Sequence, residues 1–258
     1  MMRITFLGTG TSAGVPVIQC NCPVCTSADR RNRRWRSSLY VEAGGQHLII
    51  DACTDFREQA LAFRVPRVDA VLVTHAHADH VFGLDDIRRY NTLQDAIIPV
   101  YAAAPTIADL RRIFNYVTTA ANPAGLWRPR LDFRVRDAPF EIGAVRVTPL
   151  PVRHGHAPTF GFRIDADGRS LGYVPDCHEM PPDTEAAFQG MDTMILDTLR
   201  VKLHPTHLSL PESTTLLQRL GAARSFLTHI GHELDHAAAE AALPPDIRVA
   251  YDGLTVEW

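Results

Sequence analysis

No stretch of this chain approaches the ~18 consecutive apolar residues that a membrane-spanning helix needs, which excludes such a helix from the sequence as it stands. The opening Met1-Met2-Arg3-Ile4-Thr5-Phe6-Leu7-Gly8 runs directly into a strand-like pattern. It lacks the long apolar region and small-residue cleavage site of a secretory signal, so a soluble, cytoplasmic protein is the expectation. Excess positive charge is missing too: 26 Lys and Arg against 29 Asp and Glu give a formal net charge of -3. That balance argues against the broad basic surface that grips long nucleic acids through many phosphate contacts, and favours a small substrate. No short-period repeat, low-complexity tract or linker-like stretch interrupts the 258 residues. They read as one domain, 1–258, with a core large enough to need no staples.

Cysteine is scarce and unevenly placed. Three of the five crowd into Cys20-Asn21-Cys22-Pro23-Val24-Cys25, whereas Cys53 and Cys177 stand alone. In a reducing compartment such a cluster points to metal rather than disulfides. The one basic run, Arg30-Arg31-Asn32-Arg33-Arg34-Trp35-Arg36, reads as a solvated loop and is given no role. Gly8, Gly10 and Gly14 are spaced G-x-G-x-x-x-G with no helical pattern after them, so a dinucleotide fingerprint is rejected. A turn needing positive φ, or a close backbone approach, explains them better.

What is present is an ordinary globular composition, 46% hydrophobic and 21% charged. Apolar, β-rich runs recur at 4–7, 39–41, 48–50, 68–74, 145–150, 160–164, 171–174, 194–196, 225–228 and 247–251. Amphipathic helical patterns fit 54–63, 84–90, 106–117, 211–220 and 235–242, and 122–125 reads as a loop. Strands come first in meanders and later alternate with helices. The expectation is α/β, with mixed sheets covered by helices on their outer faces.

The run Val71-Leu72-Val73-Thr74-His75-Ala76-His77-Ala78-Asp79-His80 begins as a buried strand and ends in four metal-ligand side chains. A strand end and its following turn can aim His75 and His77 at one ion while Asp79 and His80, turned away, face a second. This segment resembles the H-x-H-x-D-H motif of the metallo-β-lactamase superfamily. Later segments match in order: Leu150-Pro151-Val152-Arg153-His154, Tyr173-Val174-Pro175-Asp176 and Phe226-Leu227-Thr228-His229.

That resemblance implies a metallo-β-lactamase fold, a four-layer αβ/βα sandwich with its site at the sheet edges. It implies one ion on His75, His77 and His154, another on Asp79, His80 and His229, and Asp176 bridging them. His156 competes with His154, but Gly155 and Pro158 suggest that the chain has already turned, and His154 is preferred. Asp51, closing Leu48-Ile49-Ile50-Asp51, matches an early family Asp that orients a ligand histidine.

Three features resemble, more narrowly, the PhnP-type phosphodiesterases of the carbon–phosphorus lyase pathway. They are Leu7-Gly8-Thr9-Gly10 through the cysteine cluster, Leu227-Thr228-His229-Ile230-Gly231-His232, and His207-Leu208-Ser209-Leu210. The resemblance implies a structural zinc knuckle at 20–25 on Cys20, Cys22, Cys25 and His232. It also implies that His207 contacts substrate phosphate. The implied reaction is hydrolysis of a small cyclic phosphate, 5-phosphoribosyl 1,2-cyclic phosphate, by a hydroxide bridging two manganese or zinc ions, with Asp79 and His207 in catalytic roles. The alternatives are tRNase Z-like RNA processing, another hydrolysis on the same metals such as that of a thioester or lactam, and a cofactor-pathway protein resembling PqqB. The resemblance also suggests a homodimer.

Overall fold

The chain alternates short strands and helices because its apolar residues change period repeatedly, and the computed structural model describes the result for residues 1–120 and 127–258. The loop expected at 122–125 lies outside them. A first sheet is built from β1 (Arg3–Gly8), β2 (Ser38–Ala43), β3 (Gln46–Ile50), β4 (Ala70–Leu72), β5 (Ile98–Ala102) and β6 (Leu131–Val135). The second takes β7 (Phe140–Ile142), β8 (Val145–His154), β9 (Ala157–Ala166), β10 (Arg169–Val174), β11 (Thr193–Asp197), β12 (Arg224–Thr228) and β13 (Ile247–Val249). The last strand, β14 (Thr255–Glu257), returns to the edge of the first sheet beside β1. Each sheet is antiparallel through its hairpins and then parallel, over β3 to β6 in the first and β10 to β13 in the second. The parallel halves carry the helices that their crossovers require.

Residues of period two split each strand between two cores. Ile4, Phe6, Leu48 and Ile50 meet Val147, Phe162, Tyr173 and Ile195 between the sheets. Ile49 and Val71 face outward onto α1 (Phe56–Ala62), α2 (Ala78–Val81), α3 (Arg88–Gln94) and α4 (Ala104–Ile113) through Phe56, Val81, Tyr90 and Leu110. On the far side, Met194, Leu196 and Leu227 pack against α5 (Pro182–Ala187), α6 (Leu210–Leu220) and α7 (His236–Ala242) through Phe188, Leu217 and Ala239. The order helix, sheet, sheet, helix is the four-layer sandwich. Phe6 and Phe226 join the two sheets with ring centroids 5.5 Å apart. Removing either ring would cost about 3–5 kcal/mol.

Several boundaries differ from the sequence expectations. The helix expected at 106–117 is α4, which starts two residues earlier because Pro105 sits in its first turn, where no amide partner is needed. The pattern at 84–90 is a 3₁₀ turn, Leu84–Ile87, running into α3. α6 ends at Leu220 as expected; it opens on a Ser209/Glu212 capping box and closes on Gly221, which is left-handed. The basic run is not a uniformly solvated loop. Arg34 is buried, and its guanidinium donates to Thr9 Oγ1 at 2.7 Å and to the Ala250 carbonyl at 2.6 Å. Gly8 is required by a close approach, since a Cβ there would stand 2.1 Å from the Arg36 carbonyl oxygen. Gly14 has φ +64.

Candidate metal centre

The facing ends of the two sheets gather the side chains that the sequence singled out. β3 ends at Ile50, just before Asp51, and β4 leads into His75, while β8, β10 and β12 end at or just before His154, Asp176 and His229. Asp51 and His229 have φ of +63 and +60. Residues with side chains rarely adopt that left-handed backbone, which persists only where the surrounding structure holds it.

The donor atoms fall into groups. Ligand atoms of His75, His77, His154 and Asp176 lie within 4.8 Å of one another, as do those of Asp79, His80 and His229. Asp176 stands between the groups. Its Oδ2 is 3.7 Å from His75 Nε2 and 3.4 Å from His154 Nε2, whereas Oδ1 is 3.3 Å from both His80 Nε2 and His229 Nε2. The outer nitrogens are tied back: His80 Nδ1 lies 2.8 Å from Asp51 Oδ2, and His154 Nδ1 2.8 Å from the Thr206 carbonyl oxygen. Asp51 is itself fixed by the Thr74 amide and hydroxyl at 2.8 and 2.9 Å. This is the support that metal-bound imidazole requires. His156 instead lines the cleft beside Ala157.

Electrostatics and satisfaction agree with a cation. Burial alone would raise the Asp176 carboxyl, but His229 and His80 reverse this and hold it well below the usual range. Asp79, likewise lifted by burial, is brought below the carboxylate range by His80 and His229. Burial pushes His75 well below its ordinary value, with His80 adding to the effect, and brings His154 down to about 4. Among the described residues, His80 Nε2, His229 Nε2 and Asp176 Oδ1 are buried without a hydrogen-bond partner. Each such atom costs about 1–3 kcal/mol when left unpaired, and a divalent ion among them would satisfy all three. The residues therefore fit metal.

A family model described as the beta-lactamase superfamily domain matches residues 46–230. The chain belongs to the metallo-β-lactamase superfamily. Within this superfamily it is similar to a solved structure described as a new diphosphatase from the PhnP family, with 35% identity and a TM-score of 0.91 over 100% of this chain and 98% of that one. That places it in the PhnP family. An octanoyltransferase of Porphyromonas gingivalis is 33% identical over 98% of this chain, which spans 51% of that relative's length. Coenzyme PQQ synthesis protein B of Methylobacterium radiotolerans is 28% identical over 76% of this chain and 72% of its own.

Two further groups of side chains lie outside the two donor sets. The thiols of Cys20, Cys22 and Cys25 lie 3.3, 3.5 and 3.6 Å from His232 Nδ1, so the four residues could hold an ion with no position left open. The Cys25 amide donates to Cys22 Sγ at 3.4 Å and, as the largest influence, brings that thiol down to about 6. Asp197, which sequence reasoning missed, lies buried at the end of β11 with Oδ2 2.9 Å from His207 Nδ1. Its signal was available: Met194-Ile195-Leu196-Asp197 has the same form as Leu48-Ile49-Ile50-Asp51. Burial, helped by His229, pushes His207 down to about 4.

Proposed function

We propose that this chain is a binuclear metal-dependent phosphohydrolase acting on a small phosphodiester. The observation that carries the reading is the division of the Asp176 carboxylate between two imidazole sets, one oxygen toward His75 and His154 and the other toward His80 and His229. It supports one ion on His75, His77 and His154, another on Asp79, His80 and His229, and Asp176 shared. Such ions, when bound, neutralise phosphoryl oxygens and make water a usable nucleophile near neutral pH. Manganese and zinc both suit the His/Asp donors, and the thiolate knuckle of Cys20, Cys22, Cys25 and His232 suits a structural zinc.

The cleft has a volume of about 440 Å³ and is lined by Ser12, Asp79, His154, His156, Thr206 and His207 among others, a size that suits a small molecule. Asp79 faces it as an ionised carboxylate, placed to accept a hydrogen bond from the attacking water. His207, its far nitrogen held by Asp197, is placed against a phosphoryl oxygen, where it can stabilise developing charge. The finer reading is hydrolysis of 5-phosphoribosyl 1,2-cyclic phosphate in a cytoplasmic homodimer. A second reading, hydrolysis of a diphosphate, is favoured by the 35% identical relative, which is a diphosphatase.

The test is a substrate panel run with the manganese- and zinc-loaded protein. It contains the cyclic ribosyl phosphate, linear phosphodiesters, a sugar diphosphate, precursor tRNA, an octanoyl thioester and a β-lactam. The expected result is a kcat/KM at least about tenfold higher for the cyclic phosphate than for any other. Faster turnover of the diphosphate would establish the second reading, and turnover of the thioester or lactam alone would overturn both.

A further inference from the structure

The residue that the proposed mechanism sets against substrate has the features of a metal ligand. Asp176, His207 and His229 each offer a ligand atom, and these three atoms lie within 4.8 Å of one another, the bound that the other two groups at the centre also meet. The His207 ring lies nearly parallel to that of His229, at 13° with centroids 4.8 Å apart, and edge-on to His154 at 4.6 Å.

Its hydrogen bonding follows the same division as that of the neighbouring imidazoles. His207 Nδ1 lies 2.9 Å from Asp197 Oδ2, as His80 Nδ1 lies 2.8 Å from Asp51 Oδ2 and His154 Nδ1 2.8 Å from the Thr206 carbonyl oxygen. In a neutral ring, a proton donated through Nδ1 leaves the Nε2 lone pair free. Carboxylate on one nitrogen and a bare lone pair on the other is the arrangement of a ligating histidine. Asp197 is pinned in turn by the Cys177 amide at 2.9 Å and the Leu208 amide at 3.4 Å, so the pair is held by backbone on both sides.

We propose that in the resting protein His207 closes the second metal position, joining Asp79, His80, His229 and the shared Asp176, and that substrate phosphate displaces it. This rests on the binuclear reading above. A hydrolytic metal needs a position that substrate or water can enter. An imidazole that occupies it reversibly keeps the ion held between turnovers, and on release remains beside the incoming phosphate.

The test uses the full chain with cobalt in the His/Asp centre and zinc in the thiolate knuckle. Each ligating histidine contributes one exchangeable ring N–H resonance shifted by the paramagnetic ion. Wild type without phosphate is expected to show one more such resonance than His207→Asn, and inorganic phosphate is expected to remove that extra resonance from wild type. The phosphate titration uses wild type alone and so does not depend on the variant folding. Equal counts in wild type and a folded His207→Asn, or a wild-type count that phosphate leaves unchanged, would overturn the proposal. Binding of only one cobalt per chain at the His/Asp centre would instead overturn the binuclear reading, so the two failures are distinguishable.

Discussion

Asp197 Oδ2 lies 2.9 Å from His207 Nδ1, and the same oxygen accepts the amides of Cys177 and Leu208. One buried carboxylate thus links the residue after Asp176, the residue after His207 and the imidazole of His207. Asp197→Asn keeps the size and one acceptor oxygen but replaces the other oxygen with a donor, which weakens the hold on the ring. Turnover is expected to fall about 10–100-fold, as for other supporting partners of site histidines. The fall should lie in kcat with KM little changed and the melting temperature near that of wild type. A loss confined to the melting temperature would show that Asp197 only supports the fold.

Asp79 is the least buried member of the second donor group, with Oδ2 3.3 Å from His80 Nε2 and 3.6 Å from His229 Nε2. Asp79→Ala and His80→Ala should each reduce phosphodiester turnover by about 10²–10³-fold or more while leaving the sheets intact, because both remove support for charge that develops in the transition state. His207→Ala should reduce turnover far more than metal content, since Asp79, His80, His229 and Asp176 remain as donors. Metal analysis beside steady-state kinetics checks the set. Near-normal rates in metal-replete Asp79→Ala would remove the two-ion mechanism.

The gathering of these side chains was legible because chemistry and secondary structure coincide in the sequence around them. An apolar run that ends in His, Asp or a dense His/Asp motif marks a strand whose tip is functional, and Asp51, His75, His154, Asp176 and His229 all announce themselves so. Asp197 has the same form but escaped, because its partner His207 is ten residues away across a loop and nothing local joins them. β5 was hidden by Pro99, which cannot donate to a ladder, and β6 by the charged Asp132 and Arg134 on an edge strand. The role of Arg34 was illegible for a different reason. Within a run of arginines no local pattern says which is buried, and the groups that hold it come from Thr9, His236 and Ala250, far apart in sequence.

The thiolate knuckle makes a stability prediction distinct from the catalytic ones. The thiols of Cys20, Cys22 and Cys25 converge on His232, two residues beyond Ile230, whose amide and carbonyl pair with the Thr9 carbonyl and the Thr11 amide. Loss of the ion would therefore loosen the N-terminal loop beside His229. Cys22→Ser and His232→Ala are each expected to lose one zinc per chain and to melt several degrees lower, about 2–4 °C for each kcal/mol removed, while folded molecules retain turnover. Unchanged zinc content and melting temperature in both variants would show that no knuckle forms.

The last prediction concerns acid. Arg34 Nη2 lies 3.2 Å from His236 Nδ1, and a guanidinium can only donate, so Nδ1 must accept and the ring is neutral with its proton on Nε2. Burial, followed by the adjacent Arg34 and Arg31 charges, brings His236 down to about 4. In the unfolded chain the same group titrates near ~6.5. Between those values the unfolded state binds more protons, so the stability this neutral histidine contributes is fully present above ~6.5 and is lost as pH falls toward 4. Asp252 acts in the opposite sense. Burial pushes it up to about 7, so its contribution is present below the ordinary carboxylate range and is lost as pH rises through 7. His236→Asn keeps an acceptor for Arg34 and removes the titration, leaving Asp252 and the metal sites common to both proteins. The melting temperature of wild type minus that of His236→Asn should therefore be constant above pH ~7 and decrease steadily as pH falls from ~6.5 toward ~4.5. A difference that stays flat across that interval would mean that His236 does not titrate between the folded and unfolded states, and that the Arg34 contact does not hold it neutral.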